Sequence, residues 1–388
     1  MLERIEEILG AEKDDFMALN KYIYENPELG NEEYKSSRAH MDLLASHGFD
    51  IEEGYLGLET AFRACYDSGQ AGPSLAFLAE YDALPDIGHG CGHNILGTVS
   101  TASAIVLSKL LHSLGGRVLV LGCPAEETNG AKVVMAQAGS FDDIDVAMLV
   151  HPHSHYMRGG SSSAMEALEM KFLGKTSHAA ASPERGINAL DACIQTFNAI
   201  NALREHILPD ARIHGIISQG GRAANIIPDL AIAEFYIRAS RKEYLKELVE
   251  KVKNCGRAGA LATGAQLEFR NYEYSNDNLI TNRRLEDLFA QKLSLLGGPD
   301  LAPNEDSSGS TDVGNVSQVC PTIQPYFSIC EDPAQAPSHT VEFREASLTD
   351  YALENMLLTI KALCLTSVDL LENKELFQAV VQEFKNRT

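Results

Sequence analysis

The residues of this sequence with the clearest chemical potential are a cysteine and a histidine. Cys91 and His93 are one residue apart in the glycine-rich stretch Gly-His-Gly-Cys-Gly-His-Asn at 88–94. A thiolate and an imidazole can bind one borderline metal ion together, and zinc is the first candidate. Glycine permits the tight backbone path that such convergence needs. A Cys-x-His pair is weak evidence alone, so its meaning depends on further candidate ligands along the chain.

Four such candidates follow later in the sequence. Glu126 and Glu127 come after an apolar run, and in an extended chain their side chains would point in opposite directions. One carboxylate could then bind a metal while the other acts as general base toward a water molecule. An isolated Glu-Glu pair is more often a solvated surface pair. His151 opens the stretch His-Pro-His-Ser-His, and we prefer it over His153 as a ligand because it lies closest to a buried strand. His339 alone would be an ordinary loop histidine.

The pattern of elements predicts how these residues could meet. Apolar β-type runs alternate with helical periodicity, which predicts an α/β fold with a mixed, largely parallel sheet sandwiched by helices. In such sheets, ligands bind beyond the carboxyl ends of the strands. The candidate residues follow these ends or lie in a loop before a helix, so we expect them to line one crevice: Asp82, Cys91, His93, Glu126, Glu127 and His151.

The length and the change of pattern predict two domains. A chain of 388 residues exceeds what one hydrophobic core usually supports. Residues 166–275 follow the order strand-helix-strand-strand-helix-strand, which is typical of a ferredoxin-like α+β domain. We therefore expect residues 166–275 to be inserted into a larger domain formed by residues 1–165 and 276–388.

Composition limits the partners and the compartment. Thirty-two basic and 54 acidic residues give a formal net charge of −22, which disfavours nucleic acids and anionic membranes as partners. No apolar run approaches the roughly 20 residues of a membrane span, and the N-terminus does not resemble a secretory signal. The eight cysteines include no Cys-x-x-Cys pair. These features predict a cytoplasmic protein.

Seven segments along the chain match one protein family in its own order. They are Ala-Glu-Tyr-Asp-Ala-Leu-Pro (79–85), Gly-Cys-Gly-His-Asn (90–94), Pro-Ala-Glu-Glu (124–127), Val-His-Pro (150–152), Gly-Lys-Thr-Ser-His-Ala-Ala (174–180), Gly-Gly-Arg-Ala-Ala-Asn-Ile-Ile-Pro-Asp (220–229) and Pro-Ser-His (337–339). Together they resemble the M20 family of metallopeptidases and amidohydrolases, specifically its aminoacylase-like and aminobenzoyl-glutamate hydrolase-like branch. The resemblance covers essentially the whole chain and implies a zinc-exopeptidase-like catalytic domain with an inserted lid and dimerisation domain.

The resemblance implies a site for two divalent metal ions. Zinc is the first expectation, and manganese or cobalt would also suit a carboxylate-rich site. Cys91 would take the bridging position that other M20 branches fill with aspartate, Glu126 would be the general base, and Asp82 would orient a ligand. The sequence departs from many relatives at Glu80, whose part in metal binding is left open. The implied metal ligands are Cys91, His93, Glu127, His151 and His339.

The resemblance also assigns three residues of the inserted domain. His178 matches a histidine that reaches the active site of the partner subunit and stabilises the oxyanion of the tetrahedral intermediate. Asn225 and Arg238 match positions that hold the carboxylate or carbonyl oxygen of the substrate, and an arginine suits a carboxylate through its paired donors. A histidine acting across subunits requires at least a homodimer, and a homotetramer is equally compatible.

The implied activity is hydrolysis of the amide bond of small N-acyl amino acids, aminobenzoyl-glutamate-like compounds or dipeptides. Metal-activated water would attack, and Glu126 would pass the proton to the departing amine. One alternative is a catalytically inactive protein that keeps the fold as a binding or scaffold module, although such a protein has no use for a general base. The other is a thiol enzyme with Cys91 as nucleophile, which alkylation would inhibit and a chelator would not.

Overall fold

The computed structural model describes residues 1–304, 309–334 and 336–387. The chain divides into two compact units. The first consists of Met1–Ser161, Leu279–Asp306 and Asp312–Thr388, and the second of Ser162–Asn278 and Ser307–Thr311. Within the described residues, every helix is too short or too polar to cross a bilayer. The catalytic role predicted for residues 1–165 and 276–388, and the lid and dimerisation role predicted for residues 166–275, stay predictions.

Helices make up much of both units, and α6 and α7 belong to the second. In chain order they are α1 (Leu2–Glu25), α2 (Tyr34–Ser46), α3 (His93–Ser108), α4 (Leu111–Leu114), α5 (Ala131–Gln137), α6 (Ala189–Leu203), α7 (Lys242–Thr263), α8 (Arg283–Leu295), α9 (Val313–Val319), α10 (Val341–Ala346), α11 (Asp350–Glu372) and α12 (Lys374–Lys385).

The strands form three sheets, and β7 to β10 belong to the second unit. In chain order they are β1 (Asp50–Glu53), β2 (Phe62–Asp67), β3 (Ser74–Ala79), β4 (Arg117–Gly122), β5 (Val146–Met148), β6 (His151–His153), β7 (Ala164–Leu173), β8 (Arg212–Gln219), β9 (Leu230–Ala239), β10 (Gln266–Asn271), β11 (Thr322–Ile323) and β12 (Tyr326–Ser328).

The first unit is built on a six-stranded sheet with the order β1-β2-β4-β3-β5-β11. The pairs β4/β3, β3/β5 and β5/β11 are parallel, and the pairs β1/β2 and β2/β4 are antiparallel. The predicted mixed, largely parallel sheet is therefore confirmed. A separate parallel pair, β12-β6, continues the chain paths beyond β11 and β5.

Helix α3 is the centre of the first unit. All of its residues are buried, since the helix lies against β3 on one side and against α1 and α11 on the others. Its composition of small and apolar residues on every face is what such a position requires. Gly97 allows the closest approach, because a Cβ there would come within 2.5 Å of the carbonyl oxygen of Glu80. This close contact fixes the position of the start of α3 relative to the end of β3.

The second unit has the ferredoxin-like topology that the sequence predicts. Its four strands are all antiparallel and follow the order β10-β7-β9-β8, with α6 and α7 packed on the sheet. Strand β9 alternates buried and half-buried residues along its length, as expected for a strand with one face on the core. Strand β8 is an edge strand with Ile216 and Ile217 exposed.

Two local features of the first unit depart from what the sequence pattern alone indicates. Apolar residues at helical spacing predict one helix from about Asn94 to Leu114, but α3 ends at Ser108, whose hydroxyl donates to the carbonyl oxygen of Ile105, and the chain resumes as the separate α4. The stretch His-Pro-His-Ser-His at 151–155 could be a metal arm or a polar loop by sequence, and its first three residues form strand β6, which pairs with β12. The partner strand is only three residues long and has too little periodicity to be predicted.

Candidate metal centre

Three adjacent parallel strands bring most of the candidate residues to one edge of the sheet. In the order β4-β3-β5, the central strand leads into Glu80 and Asp82, and β4 leads into Glu126. Strand β5 leads into His151, the first residue of β6. Because the carboxyl ends of parallel strands meet at one edge, side chains far apart in the sequence become neighbours there.

The glycine-rich loop supplies two further ligands at the start of α3. Gly92 has φ +77°, the left-handed conformation that glycine adopts without strain, and it places Cys91 and His93 on either side of the turn. A Cβ at Gly92 would come within 2.7 Å of the Pro152 ring. His339 joins from a turn before α10, where its N–H donates to the carbonyl of Gly90 at 2.8 Å.

The predicted metal-ligating side chains converge. In three overlapping groups all candidate ligand atoms lie within 4.8 Å of one another. Cys91, His93 and Glu127 are each shared by two of the groups, and Cys91 is joined once by two histidines and once by a carboxylate and a histidine. The groups are Cys91, His93 and His151; Cys91, Glu127 and His339; and His93, Glu126 and Glu127.

Two of the histidines are oriented by a partner on the ring nitrogen that faces away from the cluster. His93 Nδ1 lies 2.8 Å from Asp82 Oδ1, and His151 Nδ1 lies 2.7 Å from the carbonyl oxygen of Pro152. With a proton on Nδ1 in both contacts, Nε2 of each ring would be the atom available to a metal ion. His151 Nε2 lies 3.6 Å from Cys91 Sγ. His153, the alternative that the sequence offered, belongs to none of the groups found among the described residues.

The donor set fits a metal because its inward atoms lack hydrogen bonds. Glu80 Oε2, His93 Nε2 and Glu127 Oε1 are buried and make no well-aligned hydrogen bond among the described residues; Glu80 Oε2 and His93 Nε2 lie 3.3 Å apart, and Glu127 Oε1 lies 3.3 Å from His339 Nε2. Buried polar atoms are nearly always satisfied in native proteins, so three such atoms in one place are the pattern that cation ligands produce. Thiolate, imidazole and carboxylate together are the ligand types that zinc prefers.

Glu126 and Glu127 lie in a turn rather than in extended chain. The turn begins at Ala125, whose φ is +60°, and Thr128 N–H donates to Ala125 O at 3.1 Å. Glu127 N–H donates to Asp82 Oδ2 at 3.0 Å. Asp82 therefore holds the backbone of Glu127 with one oxygen and the ring of His93 with the other.

The two neighbouring carboxyl groups have opposite electrostatic environments. Burial, together with the negative charges of Glu127 and Glu80, raises the pKa of Glu126 well above its usual value. Burial also acts on Glu127, but the imidazoles of His339 and His93 outweigh it and lower the pKa of that carboxyl to about 2. A pair whose pKa values are driven apart in this way suits one group to proton transfer and the other to charge pairing.

A buried ion network beside the centre was not predicted. Lys132 Nζ lies 2.6 Å from Asp312 Oδ1 and 2.8 Å from Glu80 Oε1, and all three side chains are excluded from solvent. Glu80 Oε2 lies 3.3 Å from His93 Nε2. Oε1 of Glu80 is thus paired with Lys132, and Oε2 faces the candidate ligands. The role of Glu80 in metal binding is left open. Lys132 falls within a predicted helix and carries no local signal that it would be buried.

We expect Lys132→Met to destabilise the protein strongly. The substitution keeps the volume of the side chain but leaves Glu80 and Asp312 as two buried carboxylates without a counter-charge. Removing one partner of a buried ion pair typically costs about 3–5 kcal/mol in the free energy of unfolding. Urea denaturation of both proteins measures the difference.

A matched control is Lys171→Met, because Lys171 pairs with Glu268 at 3.0 Å on the surface. An exposed pair of that kind contributes no more than about 1 kcal/mol. If Lys132→Met cost no more than this control, the buried network would not be a stabilising element.

The remaining predicted site residues lie in the second unit. The segment of His178 bridges to that of Asn225, since Ala179 N–H donates to Asn225 O at 3.0 Å. His178 Nδ1 accepts hydrogen bonds from the amides of two following residues. Arg238 donates to Ser310 Oγ at 3.2 Å, and its guanidinium lies over the ring of Tyr236. The predicted roles of His178, Asn225 and Arg238 in catalysis and substrate binding stay predictions.

The chain is similar to known proteins over almost its whole length. The family model described as a peptidase dimerisation domain of the M20 type matches residues 163–261. The Xaa-Arg dipeptidase of Mus musculus is 38% identical over 403 residues, which cover 99% of this chain and 91% of the relative. One of the p-aminobenzoyl-glutamate hydrolase subunits of Escherichia coli is 29% identical, with 99% and 95% covered. A solved dinuclear metal binding peptidase of the M20 family from Bacillus subtilis has the same fold, with a TM-score of 0.67, 20% identity and coverage of 93% and 99%.

The fold and the cluster of ligand atoms define a metal-dependent hydrolase. With the similarity to curated relatives, the chain belongs to the M20 family of metallopeptidases and amidohydrolases, and it is an enzyme that acts on amide bonds. The resemblance that the seven sequence segments indicate is thereby confirmed.

Proposed function

We propose that this enzyme hydrolyses the amide bond of a dipeptide or of a small N-acyl amino acid, with Glu126 as general base beside a two-metal centre. The observation that carries the proposal is the convergence of two ligand groups on Cys91. A carboxyl group with a raised pKa, that of Glu126, lies within the same cluster.

The metal centre that we propose uses five side chains. Zinc suits the set of one thiolate, three imidazoles and one carboxylate, and manganese or cobalt remains compatible with the carboxylate. When bound, such ions lower the pKa of a water molecule and polarise the carbonyl of the scissile bond. The ligands are Cys91, His93, Glu127, His151 and His339, which are all within the overlapping groups.

Side chains of the protein would carry out proton transfer, positioning and substrate binding. Glu126 would take a proton from the attacking water and deliver it to the departing amine, a task suited to a carboxyl whose pKa is raised above its usual value by burial. Asp82 fixes both the His93 ring and the Glu127 backbone. His178, reaching the site of a partner subunit, would stabilise the oxyanion. Asn225 and Arg238 would hold the carboxylate of the substrate.

The substrate that we test first is a dipeptide with a C-terminal arginine. The mouse relative bears the name Xaa-Arg dipeptidase and is the more similar of the two curated relatives described above. The net charge of −22 would also favour the approach of a cationic substrate. Aminobenzoyl-glutamate and acetylated amino acids form the second panel, because other relatives are named for hydrolysis of aminobenzoyl-glutamate and deacetylation of N-acetyl-cysteine. The alternative of an inactive scaffold gains no support.

We also propose a cytoplasmic homodimer or homotetramer. All eight cysteines are free thiols, which suits a reducing compartment. The match to a dimerisation domain over residues 163–261 supports self-association. Light scattering at several concentrations distinguishes a dimer from a tetramer.

Metal removal tests the proposed chemistry directly. We expect a chelator to abolish hydrolysis of the dipeptide panel and added zinc to restore it, with about two metal ions per chain by elemental analysis of the restored protein. Alkylation of the metal-loaded enzyme should have little effect, since Cys91 would be engaged as a ligand. A preparation that ignores the chelator but loses activity on alkylation would instead be a thiol enzyme with Cys91 as its nucleophile.

A further inference from the structure

A buried carboxylate from the N-terminal region contacts the turn that carries the two glutamates. Glu33 immediately precedes α2 and is fully excluded from solvent. Its Oε1 accepts the N–H of Ala125 at 2.8 Å, and its Oε2 accepts the hydroxyl of Thr60 at 2.8 Å. An ionisable side chain is rarely buried without a purpose that offsets its desolvation. Here its main partner is the peptide that begins the Glu126-Glu127 turn.

Ala125 has a backbone conformation that costs free energy. Its φ of +60° is in the left-handed region, where the Cβ of any residue other than glycine is crowded. Such a conformation persists only when surrounding contacts enforce it. The hydrogen bond from its N–H to Glu33 holds one side of the peptide that precedes the strained residue, and the Pro124 carbonyl oxygen of the same peptide accepts the N–H of Ala131 at 3.2 Å.

The same segment packs against the far side of the turn. A Cβ added at Gly30 would lie 2.6 Å from Thr128 Oγ1 and 3.0 Å from the Ala125 Cα, so the loop of residues 30–33 and the turn of residues 125–128 are in direct contact. This close approach is independent of the hydrogen bond. The loop before α2 therefore packs against the turn of residues 125–128 and does not contact it through the hydrogen bond alone.

We propose that Glu33 is a positioning residue of the hydrolytic site, which holds Ala125 in its left-handed conformation and thereby aims the side chain of Glu126. The proposal rests on the proposed function, in which Glu126 is the base. Among the described residues, the hydrogen bonds of the Glu33 carboxylate go to the Ala125 N–H and the Thr60 hydroxyl and not to a proposed ligand, so Glu33 would act through the backbone of the turn.

The hydrogen bonds of the turn predict which of the two glutamates depends on Glu33. Glu127 N–H is held separately by Asp82 Oδ2 at 3.0 Å. If the bond from Ala125 N–H to Glu33 is lost, Glu127 stays anchored while Glu126, between the two anchors, becomes free to turn. Loss of Glu33 should therefore lower kcat while metal content and KM change little.

The experiment compares Glu33→Ala, Glu33→Gln, Ala125→Gly and the double variant Glu33→Ala/Ala125→Gly in the metal-loaded enzyme. We expect Glu33→Ala to lower kcat by roughly 10- to 100-fold, the loss typical of a misplaced reacting group. Glu33→Gln should retain most activity, because its amide oxygen can still accept the Ala125 N–H and the Thr60 hydroxyl can act as acceptor. In the double variant, glycine adopts the left-handed conformation without strain, so much of the lost kcat should return.

The control is Glu28→Ala. Glu28 accepts the N–H groups of Lys35 and Ser36 at the start of the same helix, so its loss weakens the same region without touching the turn of residues 125–128. We expect kcat to be unchanged in this variant. An equal loss of kcat in Glu28→Ala and Glu33→Ala would reduce the role of Glu33 to general stability and overturn the proposal.

A structural readout separates this proposal from the proposed function. A crystal structure of Glu33→Ala should show Ala125 outside the left-handed region and Glu126 displaced, with metal content by elemental analysis unchanged. Ala125 remaining near φ +60° would overturn the positioning role, whatever the activity. If the wild-type enzyme hydrolysed none of the amide substrates, the proposed function would be wrong. The conformation of Ala125 in the variant would still show whether Glu33 holds this residue in the left-handed region.

Discussion

Replacement of Glu126 by glutamine is expected to lower kcat by roughly 1,000-fold or more, in the range that removal of a general acid–base group produces. Glutamine has the shape of glutamate but cannot take up a proton at neutral pH. In the native protein, burial and the neighbouring charges of Glu127 and Glu80 raise the pKa of Glu126 well above its usual value, as a base that works near neutrality requires. Steady-state kinetics on the dipeptide panel measure the loss.

Metal content distinguishes a lost base from a lost ligand. We expect Glu126→Gln to keep its metal ions, because the five proposed ligands are untouched. The matched control is Glu127→Gln, one residue away on the same turn, which should lose metal affinity as well as activity. A Glu126→Gln enzyme that kept more than about a tenth of wild-type kcat would exclude Glu126 from the role of base, since even a modest general base contributes roughly 100-fold.

The part of the fold that could be predicted from sequence is the part with strong periodicity. The sequence pattern predicts strands at Ser74–Ala79, Arg117–Gly122 and Arg212–Gln219, each an apolar or alternating run that ends at a polar or glycine signal, and these are the bounds of β3, β4 and β8. The order of elements in the second unit follows from the same patterns. Once strands and helices alternate, the rule that ligands gather at carboxyl ends places Asp82, Glu126 and His151 at one edge of the sheet.

The parts that sequence could not predict depend on contacts between distant segments. Lys132 looks like a surface lysine on a short helix, and only the tertiary structure buries it between Glu80 and Asp312. Glu33 lies in an acidic run, Glu32-Glu33, that reads as a solvated helix start. Local pattern cannot distinguish a carboxylate that faces water from one that faces a peptide 92 residues further along the chain.

Asp82 shows how a correct local inference can be incomplete. The resemblance implies that it orients a ligand, and the contact of its Oδ1 with His93 agrees with that expectation. Its second oxygen holds the backbone of Glu127, so one carboxylate fixes candidate ligands from the start of α3 and from the turn after β4. Together with Glu33 at Ala125, the turn of the two glutamates is held by two acidic side chains from separate segments. The turn therefore depends on two acidic side chains that are not among the proposed metal ligands.

Replacement of Cys91 by alanine is expected to remove more metal affinity than the loss of any other single ligand. Cys91 is the ligand that we propose between the two metal positions, so its loss should weaken both; it belongs to two of the three candidate ligand groups, as His93 and Glu127 also do. Loss even of an outer partner of a ligand costs roughly 10- to 100-fold in metal affinity, and loss of a shared ligand should exceed that. Titration of the chelator-treated protein with zinc, followed by calorimetry, measures both positions without any assay of activity.

Aspartate at the same position should restore binding at both positions, because its two oxygens can contact two cations and other M20 branches are expected to use it there. We expect Cys91→Asp to bind two metal ions per chain and to retain measurable hydrolysis, while Cys91→Ala binds one or none. Cys65→Ala is the matched control, since Cys65 is a half-buried thiol outside every ligand group of the described residues. If Cys91→Ala bound two ions with the affinity of the wild type, Cys91 would not be a ligand. Histidines and carboxylates alone would then bind both ions.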